Sequence, residues 1–253
     1  RWFISATSGK RVRASDVCPD CGSWRLRERG IGIQFIEDEI KKLFPATPLI
    51  IMDATTAGTH KKALAQKKLI ESHKGAILLG TNMAMAYLPN HLYLSAIVSL
   101  DAVRAIPTWR ADESLFRLLL TLREKSSHEV IVQTRSDSDD LLLYAARGAT
   151  DRFHDDELHL REMLAYPPYT TFYLLTWQGA QEHIEETEKL IKNALGSLAV
   201  APQFYTNPQS PATKPIRHCL IRAEKTTDTT HLVEMLRHLP PQVAITVNPD
   251  RIV

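Results

Sequence analysis

Cysteine is scarce. Three in 253 residues are too few for a disulfide scaffold and fit a reducing, cytoplasmic compartment. No apolar run reaches the roughly 18 residues that a membrane span needs, which excludes an integral membrane protein and argues against a membrane partner. Neither a signal peptide nor an initiating methionine opens the chain, which starts at Arg1. The expectation is a fragment whose upstream part is missing. A G-x-x-x-x-G-K-[ST] phosphate loop is absent, as are repeats and low-complexity tracts. The ten histidines show no metal-ligand spacing, and no nucleophile–base pair stands out. What remains is ordinary: 44% hydrophobic and 24% charged residues, the balance of a globular protein rather than of collagen or a disordered chain. The length suits one large or two small domains.

The net charge of +2 is too small to imply a nucleic-acid partner, but it is unevenly spread. Residues 1–30 hold seven Lys/Arg against three Asp/Glu, a net +4. Residues 31–169 hold sixteen against eighteen, and residues 170–253 eight of each. The positive segment is either a phosphate-binding patch or a solvated basic face.

Residues 1–30 are Arg-rich with little periodicity. From Ile31 helical and strand patterns alternate. Ile33, Ile36, Ile40, Leu43 and Phe44 recur at helical spacing and Pro45 closes the segment. Apolar runs at 48–53, 76–81, 92–101 and 129–134 read as buried strands, and 59–73 and 114–123 as helices. This alternation predicts a parallel sheet covered on both faces. Helices are expected over 138–147 and 151–164, followed by the break Tyr166-Pro-Pro-Tyr169. Then come strand 171–178, helix 181–195, strands 203–206 and 216–222, helix 229–238 and strand 242–247. That order, βαββαβ, is the ferredoxin-like pattern, with a boundary expected near residue 150. Both helices would lie on one face of the sheet and leave the other open.

Cys18-Pro-Asp-Cys21-Gly22 is a knuckle whose two thiolates could grip one tetrahedral metal; the alternative is a pair of free cysteines in a turn. Cys219 falls in an expected strand and reads as a small core residue. Gly80-Thr81 follows an apolar run, and Asp53 and Asp101 end neighbouring ones, at the rim where open α/β sheets bind ligands. Ordinary strand-ending turns account for the same residues.

Taken together, "CPDCGSW" (18–24), "GIGIQFIEDEIKKLFP" (30–45), "LIIMDATT" (49–56), "AILLGTNM" (76–83), "RADESLFRLLLTL" (110–122), "VIVQT" (130–134), "ELHLREMLAYPPY" (157–169) and "ITVNPD" (245–250) resemble, in order, the C-terminal part of the primosomal protein N′ family of replication-restart DNA helicases. The resemblance implies three segments: the end of a cysteine-rich zinc-binding stretch (1–30), a RecA-like second helicase lobe (31–150) and a C-terminal domain that contacts DNA and partner proteins (151–253). It implies ATP-dependent 3′–5′ unwinding with ATP, magnesium and zinc. The implied partners are forked or single-stranded DNA, single-stranded DNA-binding protein and other primosome proteins. Cys18 and Cys21 would bind zinc, Gly80 and Thr81 would face nucleotide, and Lys214, Arg217 and Arg222 would contact DNA.

The departures from the family pattern are specific. Where the family has a further C-x-x-C-G pair, this chain has Ser5-Ala-Thr-Ser8-Gly9, and serine cannot replace a thiolate at zinc. The motif that begins GTQM is here Gly80-Thr-Asn-Met-Ala-Met-Ala-Tyr-Leu-Pro89, without its later polar residues. The family's QVAGRAGR aligns to Thr121–His128, so its two arginines fall on Lys125 and His128. Arginine stabilises the transferring phosphoryl group by a bidentate contact that lysine and neutral histidine cannot make. Three functions are therefore weighed: a weak or inactive helicase component, a non-enzymatic scaffold for DNA or protein derived from it, and an unrelated α/β nucleotide enzyme, which the YPPY and CPDCGSW segments disfavour.

Overall fold

The computed structural model describes residues 2–4, 11–13, 32–105, 108–196, 201–207, 210, 214–224 and 227–252. Strands β1 (Trp2–Ile4) and β2 (Arg11–Arg13) pair antiparallel, Trp2 opposite Arg13. Helix α1 (Ile33–Leu43), strand β3 (Leu49–Met52), helix α2 (His60–Ser72) and strand β4 (Ile77–Gly80) follow. A six-residue 3-10 helix (Asn82–Tyr87), strand β5 (Leu92–Ile97) and helices α3 (Leu100–Arg104) and α4 (Ala111–Lys125) come next. Then come strand β6 (Ser126–Val132), helices α5 (Asp140–Arg147) and α6 (Thr150–Met163), and strand β7 (Thr170–Gln178). Helix α7 (Gln181–Leu195), strands β8 (Gln203–Thr206) and β9 (Ile216–Glu224), helix α8 (Thr229–Arg237) and strand β10 (Ala244–Val247) complete the order. Among the described residues no helix is long and apolar enough to cross a membrane.

The chain divides into two compact units, one of Arg1–Ala14, Ile106–Glu113 and Ala149–Val253, the other of Ser15–Ala105 and Ser114–Gly148. In the latter, β3 and β4 form one parallel pair, with Met52 opposite Gly80, and β5 and β6 form another. The parallel strands expected from the sequence are thus present as two separate two-stranded sheets. Ala63 of α2 is fully buried with Met52, Ala57 and Ala84; the three alanines let helix and strand close around Met52. On α4 the buried Leu115, Phe116, Leu119 and Leu122 recur at one helical stripe. The apolar run 92–101 does not stay extended to its end. Ser99 accepts from the Ala102 N–H at 3.3 Å and caps α3, so a serine cap stops the strand where hydrophobicity alone would continue it.

In the former unit the order is β-α-β-β-α-β, and the four strands form one antiparallel sheet in the order β10–β7–β9–β8. Tyr173, Leu175 and Trp177 of β7 and Cys219, Ile221 and Ala223 of β9 face Ile184, Ile191 and Leu195 of α7 and Leu232 and Leu236 of α8. The opposite face is not open. Phe172, Leu174 and Leu220 pack under Trp109, with Tyr166, Tyr205 and Ile252 against them. Burial of both faces explains why β7 is nearly continuously buried rather than alternating.

Trp109 is the centre of that second face. Its Nε1–H donates to the Pro249 carbonyl at 2.7 Å, and the Arg110 and Arg161 guanidinium groups lie over its ring at 4.3 and 5.0 Å. Tyr166 and Phe172 meet it edge-on. Arg161 is held by Glu157 at 2.7 Å and Glu113 at 2.9 Å. Asn248, in the left-handed region at φ 47° that asparagine tolerates, exchanges two hydrogen bonds with the Phe172 backbone, both 2.8 Å.

Candidate nucleotide rim and nucleic-acid interface

The rim at the C-terminal ends of β3 and β4 brings Asp53 and Gly80-Thr81 to one side of the parallel pair. Asp53 is taken up by its own turn: Oδ1 accepts from the Thr55 and Thr56 N–H groups at 2.9 and 2.8 Å and lies 2.9 Å from the Thr56 hydroxyl. The Thr56 N–H bond is the largest influence on its carboxyl, and with the other donors it outweighs burial and holds the pKa below the usual range. Gly80 is required by close packing. A Cβ there would stand 2.6 Å from the Ala84 Cβ and 3.4 Å from the Met52 carbonyl oxygen. The Thr81 N–H donates to the Met52 carbonyl at 3.2 Å, and its side chain is exposed at the start of the 3-10 helix, where it forms no capping bond. Asp101 lies in the first turn of α3 and accepts from the Thr134 hydroxyl and the Arg135 N–H at 3.3 and 3.1 Å, tying the end of β6. Both aspartates therefore act as turn-holding groups.

Lys125 is the last residue of α4, and β6 starts at Ser126. Helix passes into strand with no connecting loop. His128 is the third residue of β6, stacked on Tyr93 of β5 at 5.1 Å with the ring planes 17° apart. The two positions aligned with the family's arginines thus lie on a helix end and a strand.

In the antiparallel unit, Arg217 and Arg222 of β9 occupy opposite faces, as an odd separation on a strand requires. Arg217 lies on the helix side and binds Glu188 of α7 at 2.8 Å and the Thr206 hydroxyl at 2.9 Å. Lys192 completes this group at 2.7 Å from Glu188, and the two cations keep the Glu188 carboxyl low despite burial, which is the largest single influence. Arg222 lies on the other side, its guanidinium over Phe172 at 5.4 Å and Tyr166 at 5.9 Å, with a buried Nε that has no hydrogen-bond partner among the described residues. Lys214 is exposed ahead of the strand. On the same face as Arg222 but four residues along β9, buried His218 bonds Thr176 at 2.9 Å, and burial lowers its pKa.

Cys18 and Cys21 lie outside the described residues. Cys219 is fully buried in the core, and burial pushes its thiol up to about 12, so it is a packing residue and no thiolate donor. Among the described residues no three His, Cys, Asp or Glu side chains come together to hold a metal. What the sequence did not disclose is the knot of Trp109, Glu113, Arg161 and Asn248. Its residues lie in or beside the segments 110–122, 157–169 and 245–250, and their part in the structure is packing and hydrogen bonding.

No protein-family model matches the chain. It is similar to replication restart proteins named PriA from several bacteria. It is 33% identical to that of Bacillus subtilis over 171 residues, 63% of this chain and 21% of that protein. It is 31% identical to that of Chlamydia trachomatis over 195 residues, 72% and 26%, and 28% identical to that of Chlamydia pneumoniae over 220 residues, 81% and 28%. The chain thus spans about a quarter of the length of the curated relatives it matches. Over that stretch it is a homologue of the replication restart protein PriA.

Proposed function

We propose that this chain is a DNA-binding part of a replication-restart helicase of the PriA type, weak or inactive as an ATPase. The observation that carries the reading is the homology, which reaches 220 residues in the longest of the three matches described. In this reading residues 31–150 are a RecA-like second motor lobe, with Gly80 and Thr81 at its nucleotide rim. Residues 151–253 are a ferredoxin-like C-terminal domain that binds DNA through Lys214, Arg217 and Arg222. Residues 1–30 are the end of a zinc-binding stretch with Cys18 and Cys21 as ligands. ATP and magnesium, the other primosome proteins, single-stranded DNA-binding protein and a cytoplasmic location enter with the same reading.

The passage of α4 into β6 without a loop supports a weakened motor, because the aligned arginine positions have become a helix end and a stacked strand residue. The same observation favours the second reading, a scaffold that binds DNA or protein without turnover. Fluorescence anisotropy with forked DNA tests the DNA-binding claim that both readings share. Binding should be weak, indifferent to sequence, strongly reduced by salt, and weakened when Lys214, Arg217 and Arg222 are all replaced by Ala. Binding unchanged by the triple substitution would remove that surface from the account, and no binding would overturn the DNA reading as a whole.

A further inference from the structure

We propose that the outward face of α2 is a docking surface for a nucleic-acid phosphate backbone, separate from Lys214, Arg217 and Arg222; it rests on the reading of the chain as DNA-binding. Residues 60–74 hold five lysines and one carboxylate, Glu71. Lys61, Lys62, Lys68 and Lys74 are exposed. Among the described residues none of these four has a carboxylate at ion-pairing distance; only Lys67 approaches Glu71, at 3.8 Å. Helix α1 shows the contrast: its Lys41 and Lys42 are matched by Glu37 at 2.5 Å and Glu39 at 2.7 Å.

The arrangement is also set against the helix's own field. The first turn contains Lys61 and Lys62 and no acid, and the last turn has no base. Cations at a helix N-terminus oppose the macrodipole, so Lys61 and Lys62 sit against the dipole of α2 without a carboxylate to offset them. A polyanion laid along the face removes both the repulsion and the unfavourable dipole term. The geometry suits an extended backbone. Ala63 anchors the inner side of α2 in the core, which puts Lys61 and Lys68 on the outer side, two turns and about 10 Å apart. Leu64 and Leu69 are exposed but lie on opposite flanks of α2, so the helix offers no continuous apolar face to insert into a bilayer, as a membrane-surface helix must. Its first turn is fixed beside the β4 rim by the 2.9 Å hydrogen bond between His60 Nδ1 and the Tyr87 hydroxyl.

The test uses the whole chain and fluorescein-labelled single-stranded and forked DNA over a salt series. The variant K61Q/K62Q/K68Q/K74Q should bind at least about tenfold more weakly at low salt. Its slope of log affinity against log salt should be smaller by about 3, the value for four lost phosphate contacts. K61Q/K68Q should weaken binding several-fold more than K41Q/K42Q, which removes the same charge from α1. Circular dichroism should show the fold intact. If the native chain binds DNA and the lysine variants bind equally well, or K41Q/K42Q weakens binding as much, the surface is overturned and the DNA reading stands. If the native chain binds no DNA, both fall. Capture by phosphatidylserine vesicles that the four substitutions abolish, with DNA binding retained, would overturn a nucleic-acid partner for this face.

Discussion

Trp109, which the sequence did not single out, ties together the second buried face of the antiparallel unit. Its ring is buried between two guanidinium groups and two aromatic rings, and its indole N–H is spent on the Pro249 carbonyl. Trp109→Ala should cost about 3–5 kcal/mol, read as a fall in the urea midpoint by circular dichroism; a change under about 1 kcal/mol would mean that the second face is not a core. His218 gives a pH signature. Burial holds its folded pKa below the ordinary 6.5, so the unfolded chain takes up the proton first. The stability tied to the neutral ring is complete above the unfolded value, is lost as pH falls through it, and levels off below the folded pKa. His218→Gln should flatten the dependence of the melting temperature on pH between about 7 and 5; an unchanged curve would assign the acid sensitivity to other groups. At this scale the sequence was legible where a rule is local. Cys219 reads as core from its strand, and Arg217 and Arg222 read as opposed from parity. It was silent where partners are remote: Glu188 meets Arg217 across 29 residues, and Trp109 meets Pro249 across 140.

Elements were read more easily than their assembly. Hydrophobic period places α7 and β8 at their observed limits and most others to within three residues, because each element's apolar face is written in its own residues. The misread one, the run 92–101, turned on a single cap. Sheet composition depends on which edges find each other, and no short-range pattern shows that β3–β4 and β5–β6 pair separately or that the far side of β7 and β9 is covered. Nor does it show that α4 meets β6 without a loop. Helix α2 carries this scale's prediction. Replacing its first-turn lysines by acid, K61E/K62E, should raise stability by about 0.3–1 kcal/mol per site at low ionic strength while DNA affinity falls. A thermal melt checks the first and anisotropy the second, and the stability gain should shrink with added salt. A loss of stability would show that the lysines serve the fold.

For the whole molecule, the expected outcome with ATP is no turnover. These 253 residues contain no phosphate loop, and phosphate release with single-stranded or forked DNA should stay at background. K125R/H128R should not raise it, even with a first motor lobe supplied, since substitution restores the arginines but not a loop between α4 and β6; DNA-stimulated release in that variant would refute the point. Zinc content by elemental analysis should fall well below one per chain, because Cys18 and Cys21 supply two thiolates and tetrahedral sites need four ligands. A full equivalent would reveal ligands beyond these two.

The knot around Trp109 also sets a schedule. It joins residues 108–110 to 248–250 and leans on β7, whose outer partner β10 lies at 244–247. A ribosome releases these parts many seconds apart, at about 5–20 residues per second. Until the last of them emerges, Trp109 and Phe172 lack their cover and β7 presents an unpaired edge, the kind of surface on which nascent chains stick to one another. A released chain that ended shortly before residue 244 would keep α1 to α8 of the described helices and leave the antiparallel sheet one strand short. Such a product should aggregate more readily than the same chain carried through residue 252.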